Sequence, residues 1–176
     1  MEGQYGAAEM SFVKGGFCMI RWKYTNPIDI SYIRKTEELL GIRFPEDYVQ
    51  CVLENNGGTP KPQEFDVEGR RFPAVFEHLL DHDPNSKSYI VEFCPDYIDH
   101  LPDGIYPFAG DPFGNFICFD YRSDKDNPSI VFWDHEKPDN KNVFPVCRTF
   151  TELLNKLYEP EEDDDIYDIE PIDIKW

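Results

Sequence analysis

No stretch of this chain reaches the roughly 20 consecutive apolar residues that a helical membrane span requires. The apolar run at residues 12–20 is broken by Lys14, Gly15 and Gly16 and leads to no A-x-A-like site, so a signal peptide is not expected. Bases are also scarce, with 17 Lys and Arg against 35 Asp and Glu, for a net charge of −18. Phosphate contacts need Lys and Arg to replace condensed counterions, and anionic lipid surfaces attract the same residues. Direct binding to nucleic acid or to an anionic membrane is therefore disfavoured, and a basic protein partner is favoured. The five cysteines (Cys18, Cys51, Cys94, Cys118, Cys147) are odd in number and form no C-x-x-C pair. Cys51, Cys118 and Cys147 lie in apolar patterns, where thiols behave as small hydrophobes. That usage fits a reducing, cytoplasmic compartment and not a secreted disulfide scaffold.

Motifs that would announce chemistry are missing as well. His78 and His82 are four apart, but Leu79-Leu80-Asp81 between them is not the interior of H-E-x-x-H. They read as two surface or strand histidines near a turn, with a loop metal site beside Asp81 and Asp83 as the alternative. His135, between Asp134 and Glu136, could act as a general base. With no G-x-S-x-G nucleophile in the chain, a solvated turn is the better reading. Residues 110–115, Gly-Asp-Pro-Phe-Gly-Asn, lack the lysine of a phosphate loop and precede a strand. They read as a hairpin turn in which Gly114 and Asn115 supply positive φ, leaving Asp111 and Asp120 at an exposed edge. Asp163, Asp164 and Asp165 lack the D-x-[DN]-x-[DN]-G spacing of a calcium loop. No catalytic residue, cofactor or metal ligand is expected.

What is present is enough for one folded unit. The 176 residues are 40% hydrophobic and 15% aromatic, which suits a single core. Residues 1–23 form a weakly patterned extension, 24–158 the domain and 159–176 an acidic tail. That tail carries nine acids against one base, Lys175, and the other 158 residues carry 26 acids and 16 bases. Its interleaved Ile166, Tyr167, Ile169, Ile172 and Trp176 suit folding onto a partner or packing back on the domain. Residues 39–58 are the most informative. Gly41 sits where a helix begun at Asn26-Pro27 needs a left-handed residue. Pro45 suits the first position of a second helix, with Glu46 and Asp47 on its positive dipole end. Tyr48, Val52 and Leu53, beside Val49, form its apolar stripe, and Asn55-Asn56-Gly57-Gly58 stops it. Short strands are expected at 64–67 and 72–80, and a helix split by Pro95 at 86–100. From Gly104 the pattern turns to strands at 105–109, 116–121, 129–133 and 142–147, joined by short turns, which predicts an antiparallel meander. Thr149 and Glu152 form a capping box for a closing helix with Phe150, Leu153, Leu154 and Leu157 on its apolar face. The fold class is α+β: N-terminal helices, an antiparallel or mixed sheet of about 4–6 strands, and a closing C-terminal helix.

The paired helices, Ile105-Tyr-Pro-Phe-Ala-Gly-Asp-Pro-Phe-Gly-Asn115, the strand ending in Asp120, Ile130-Val-Phe-Trp-Asp-His-Glu136 and the closing helix come in the order of the SUKH superfamily. The chain resembles that superfamily over residues 28–158. It departs at the long 125–127 connection and in the acidic extension. The superfamily comprises fungal cell-wall assembly regulators and bacterial immunity proteins that neutralise polymorphic toxins. The resemblance implies a bacterial cytoplasmic immunity protein that binds a cognate toxin, often a nuclease, without catalysing a reaction. Charge supplies a physical reason, because an acidic binder mimics the substrate of a basic nuclease. Opposite potentials raise association toward ~10⁸–10⁹ M⁻¹s⁻¹ at low salt. The residues expected to meet the partner are Asp111, Asn115, Asp120, Trp133, Asp134, Glu136, Asp163, Asp164 and Asp165. Trp133 also reads as a core residue. The alternative is a regulatory scaffold that binds partners through its tail.

Overall fold

A computed structural model describes residues 20–95 and 98–160. The first helix, α1, runs Ile30–Leu40 and is capped by Asp29, whose side chain accepts from the Ser31 N–H at 2.9 Å. The start expected at Asn26-Pro27 fails for a tertiary reason. The N–H groups of Asn26 and Ile28 donate to the carbonyls of Asn56 and Leu53, both at 3.0 Å, which holds that segment extended along the next helix. Gly41 closes α1 with φ 68°, a conformation glycine adopts without penalty. The second helix, α2, runs Glu46–Asn55, with Pro45 as its cap and Glu46 and Asp47 in its first turn. It buries Tyr48, Val49, Cys51 and Val52. Leu53 is half-buried.

Two small antiparallel pairs follow. β1 (Arg21–Lys23) pairs with β2 (Thr59–Lys61), and β3 (Glu64–Phe65) pairs with β4 (Ala74–Val75). The main sheet is a five-stranded antiparallel meander of β5 (His78–Leu79), β6 (Ile105–Gly110), β7 (Phe116–Asp120), β8 (Ser129–Trp133) and β9 (Val143–Cys147). Alternation sorts its side chains between two clusters. Ile117, Phe119, Ile130 and Phe132 join the large core with Tyr48 and Phe150, whereas Cys118, Val131 and Trp133 join Ile105 and Leu101 in a smaller one. The closing helix α3 (Phe150–Asn155) packs on α2 and β9. Thr149 Oγ1 accepts from the Glu152 N–H at 3.1 Å, and the Glu152 carboxylate returns to the N–H of Arg148, one residue before the cap.

The described residues of 86–100 do not form the expected helix. Among the described residues of that segment, only Ile90–Phe93 winds, as one 3₁₀ turn. Asp81 donates its N–H to the Ser88 carbonyl and accepts from the Ile90 N–H, both at 2.8 Å, so neighbouring residues are held as a bridge. Among the described residues, no helix is long and apolar enough to cross a membrane.

His82 differs most from its sequence reading as a surface or strand residue: it is buried at the centre of the structure. Thr36 Oγ1 donates to the Tyr32 carbonyl and so receives the His82 Nδ1 proton at 3.0 Å. Nε2 is thereby left as an acceptor for the Tyr48 hydroxyl at 2.9 Å. Asn56 accepts from the His82 N–H at 3.0 Å and donates to Asp81 at 2.5 Å. Burial drives the imidazole pKa down from 6.5 to about 4, with Asp81 and Glu37 opposing. The unfolded chain therefore takes up a proton near pH 6.5 that the folded chain refuses until about 4. Stability is full above the unfolded value and is lost as pH falls toward the folded one, by about 3 kcal/mol in all. His82→Leu removes this contribution. Urea titrations between pH 7 and 4.5 should show wild type losing about 2–3 kcal/mol more than the variant, and parallel losses would refute the assignment.

Candidate partner interface

The β6–β7 and β8–β9 turns lie side by side, because Phe116 pairs with Trp133 and Trp133 with Val143. Asp111 organises the first turn. Its Oδ1 accepts from the N–H groups of Phe113 and Asn115, both at 2.8 Å, and its Oδ2 from the Asn115 amide at 3.0 Å. Gly114 supplies the positive φ, 84°. Asn115, which leads directly into β7, does not share it. Asn115 Oδ1 accepts from the backbone N–H of His135 at 3.2 Å and from its Nδ1–H at 2.9 Å, which clamps one hairpin tip to the other. Asp134 accepts from the Glu136 N–H at 3.1 Å and pairs with Arg70 at 3.2 Å, while the Arg70 guanidinium lies 4.3 Å over the Phe132 ring. Trp133 stacks on Phe116, and its Nε1 donates to the Asn142 side chain at 3.1 Å.

Asp111, Asn115, Trp133, Asp134 and Glu136 are thus brought to one end of the sheet, although they span 26 positions of sequence. Their exposure is unequal. Asp111, Asn115, Trp133 and Asp134 are buried, with Asp111 correcting the expectation of an exposed edge, and Glu136 is exposed. Asp120 stands at the far end of β7, paired with Arg122 at 2.7 Å. Burial raises its carboxyl pKa, but the bonds to Arg122 outweigh that and hold it below the ordinary value. Asp163, Asp164 and Asp165 lie outside the described residues. His78 and His82 are not brought together as a pair of ligands: His78 sits against Gly110 in β5 and beside Glu77 at 3.4 Å, whereas His82 is in the core.

The sequence reading missed Phe113. It stands 71% exposed at the apex of the tied-down turn. Phe72 is 67% exposed, with Arg71 over its ring at 5.2 Å, in the loop whose Arg70 reaches Asp134. The signal was legible in principle, since an aromatic enclosed between Pro112 and Gly114 at a hairpin tip has no core to enter.

The model of the SMI1 / KNR4 family (SUKH-1) matches residues 27–156. The chain belongs to the SUKH-1 family. It is also 39% identical over 165 residues to the SPbeta prophage-derived uncharacterized protein YokK of Bacillus subtilis (strain 168), covering 78% of this chain and 81% of the relative. In this SUKH-1 domain, the Gly-Asp-x-x-Gly-Asn turn is a scaffold in which buried polar side chains satisfy one another. Removing one member strands the others. Asn115→Ala should cost about 2–3 kcal/mol in urea unfolding by orphaning Asp111 and the His135 N–H groups, whereas Phe113→Ala should stay within roughly 0.5 kcal/mol. Equal effects of the two changes would overturn the division between scaffold and exposed surface.

Proposed function

We propose that this SUKH-1 protein is an immunity protein of the bacterial cytoplasm, binding and neutralising a cognate polymorphic toxin without turning over a substrate. The family includes such proteins, and a relative of prophage origin is compatible with a role in conflict between bacteria. The observation that carries the reading is Phe113, a large apolar side chain 71% exposed on a turn that five hydrogen bonds hold in place. Rigid exposed aromatics are natural anchors, because little side-chain and loop freedom remains to be lost on association. In this reading Phe113 enters an apolar pocket of the toxin, Glu136 and the tail acids Asp163, Asp164 and Asp165 present charge, and Asp111, Asn115, Trp133 and Asp134 hold the surface in shape. Asp120, at the opposite end, falls outside the contact.

A basic nuclease domain is the partner that the charge favours. With a net charge of −18, attraction should set the encounter rate while Phe113 sets residence time. The test pairs the protein with the basic C-terminal domain of a toxin encoded beside it, using co-expression rescue and surface plasmon resonance. Phe113→Ala should raise Kd by about 30-fold, mostly through faster dissociation, and Glu136→Lys should slow association. Association that is indifferent to salt would remove charge mimicry, and full affinity in the Phe113 variant would move the interface elsewhere.

A further inference from the structure

The imidazole of His135 is held in one place by the two hairpin tips. It stands in a turn that Asp134 pins, its Oδ1 accepting the Glu136 N–H at 3.1 Å and its carbonyl the Lys137 N–H at 3.2 Å. Gly114 lies against the ring, where an added Cβ would come within 3.4 Å of His135 Cε1. On the other hairpin's side, Asn115 holds both the backbone and the ring.

That clamp also decides which ring nitrogen carries the proton. A carboxylate only accepts, so the Asn115 group 3.0 Å from Asp111 Oδ2 is its NH2, and its carbonyl oxygen faces His135. The same oxygen takes the His135 backbone N–H at 3.2 Å, and the Nδ1 at 2.9 Å must therefore donate to it. In a neutral imidazole the other nitrogen is then an acceptor. Nε2 makes no hydrogen bond among the described residues, and His135 is exposed. A bare acceptor thus stands against Gly114, one residue from the exposed Phe113. Its charged neighbours are few. Asp111, behind Asn115, is held by the N–H groups of its own turn, and Asp134 is paired with Arg70 of the β3–β4 loop. Glu136 and Lys137 follow in the same turn, both exposed and of opposite sign.

We propose, resting on the toxin interface argued above, that His135 Nε2 is the polar contact by which this surface selects its toxin. The pocket that receives Phe113 carries an N–H or O–H donor at its rim, and Nε2 accepts it. A toxin without that donor would bury Nε2 unpaired, which costs affinity even where the apolar fit is kept. The contact is also sensitive to pH. A histidine gains its charge between pH 8 and 5, and a proton on Nε2 turns the acceptor into a donor facing a donor. Binding is therefore strongest with the ring neutral and weakens as pH falls.

His135→Asn isolates the atom. It places an amide NH2 at the Nδ1 position, so the bond to Asn115 is kept and Nε2 alone is removed. In surface plasmon resonance against the basic C-terminal domain of the toxin encoded beside this protein, the variant should bind about tenfold more weakly at pH 8. Its urea midpoint should match wild type. The ratio of the two dissociation constants should close to about one by pH 5.5, because wild type has then lost the acceptor too. Equal affinities at pH 8, or a ratio indifferent to pH, would overturn the proposal. Phe113→Ala, measured alongside, separates the two failures. If it weakens binding while His135→Asn does not, the acceptor falls and the interface stands; if neither does, both fall. Long-range ¹H–¹⁵N NMR of the free protein at pH 8, assigned by the signals lost in His135→Asn, should show Nδ1 protonated and Nε2 bare. The opposite tautomer would equally overturn the proposal.

Discussion

One buried imidazole ties together elements that are distant in sequence. His82 receives the Tyr48 hydroxyl proton from α2, gives its own Nδ1 proton to Thr36 of α1, and holds the end of α2 through Asn56. Each bond has a defined direction only if the ring is neutral, and burial enforces that state. Tyr48 carries the constraint into the apolar core. Its ring packs on Phe44, Phe108, Phe119 and Phe150, which come from the segment before α2, from two strands and from the closing helix. A polar network inside an aromatic core fixes one arrangement among the many that hydrophobic burial alone would tolerate, because any other leaves a buried donor or acceptor unmatched.

The same logic explains how so acidic a chain folds. The carboxylates taken out of water are each held by donors. Glu37 has two guanidiniums and a backbone N–H, Asp111 has the N–H groups of its own turn, and Asp134 has Arg70 and the Glu136 N–H. Most other acids of the domain stay at the surface, where water screens their mutual repulsion. Chemistry-bearing side chains are thereby divided between those that build the frame and those that face outward. The outward set is sparse at the hairpin tips, with Phe113, Glu136 and His135, and it owes its geometry to the buried set directly beneath.

Local patterns predicted local structure well. Gly41, the acids after Pro45, the Thr149 cap and the period-two strands after Gly104 depend on neighbours within a few residues, and each lies where the pattern placed it, to within a residue or two. Errors arose where a distant backbone competed. The 26–28 segment bonds to α2 instead of starting a helix, and the bridge of residues 88–90 to Asp81 leaves only the single 3₁₀ turn Ile90–Phe93 of the described residues there to wind. The site was legible only in part. The pairing of β7 with β8 brings Asp111, Asn115, Trp133, Asp134 and Glu136 to two adjacent hairpin turns and leaves Asp120 at the other end, and which of them faces solvent was not written in the spacing.

Composition and pattern by themselves determined the α+β class, the meander, the cap of the closing helix and the acidic character, and the family was read from the resemblance of ordered motifs. These are set by residue chemistry and by spacing along the chain. Burial was decided only in three dimensions. Glu37, late in α1, is a buried ion; His82 reads as a surface or strand residue near a turn and is the central hub; and Phe113, in a hairpin turn, is an exposed aromatic. Whether a side chain meets water depends on what the rest of the chain brings over it, and sequence spacing carries no record of that.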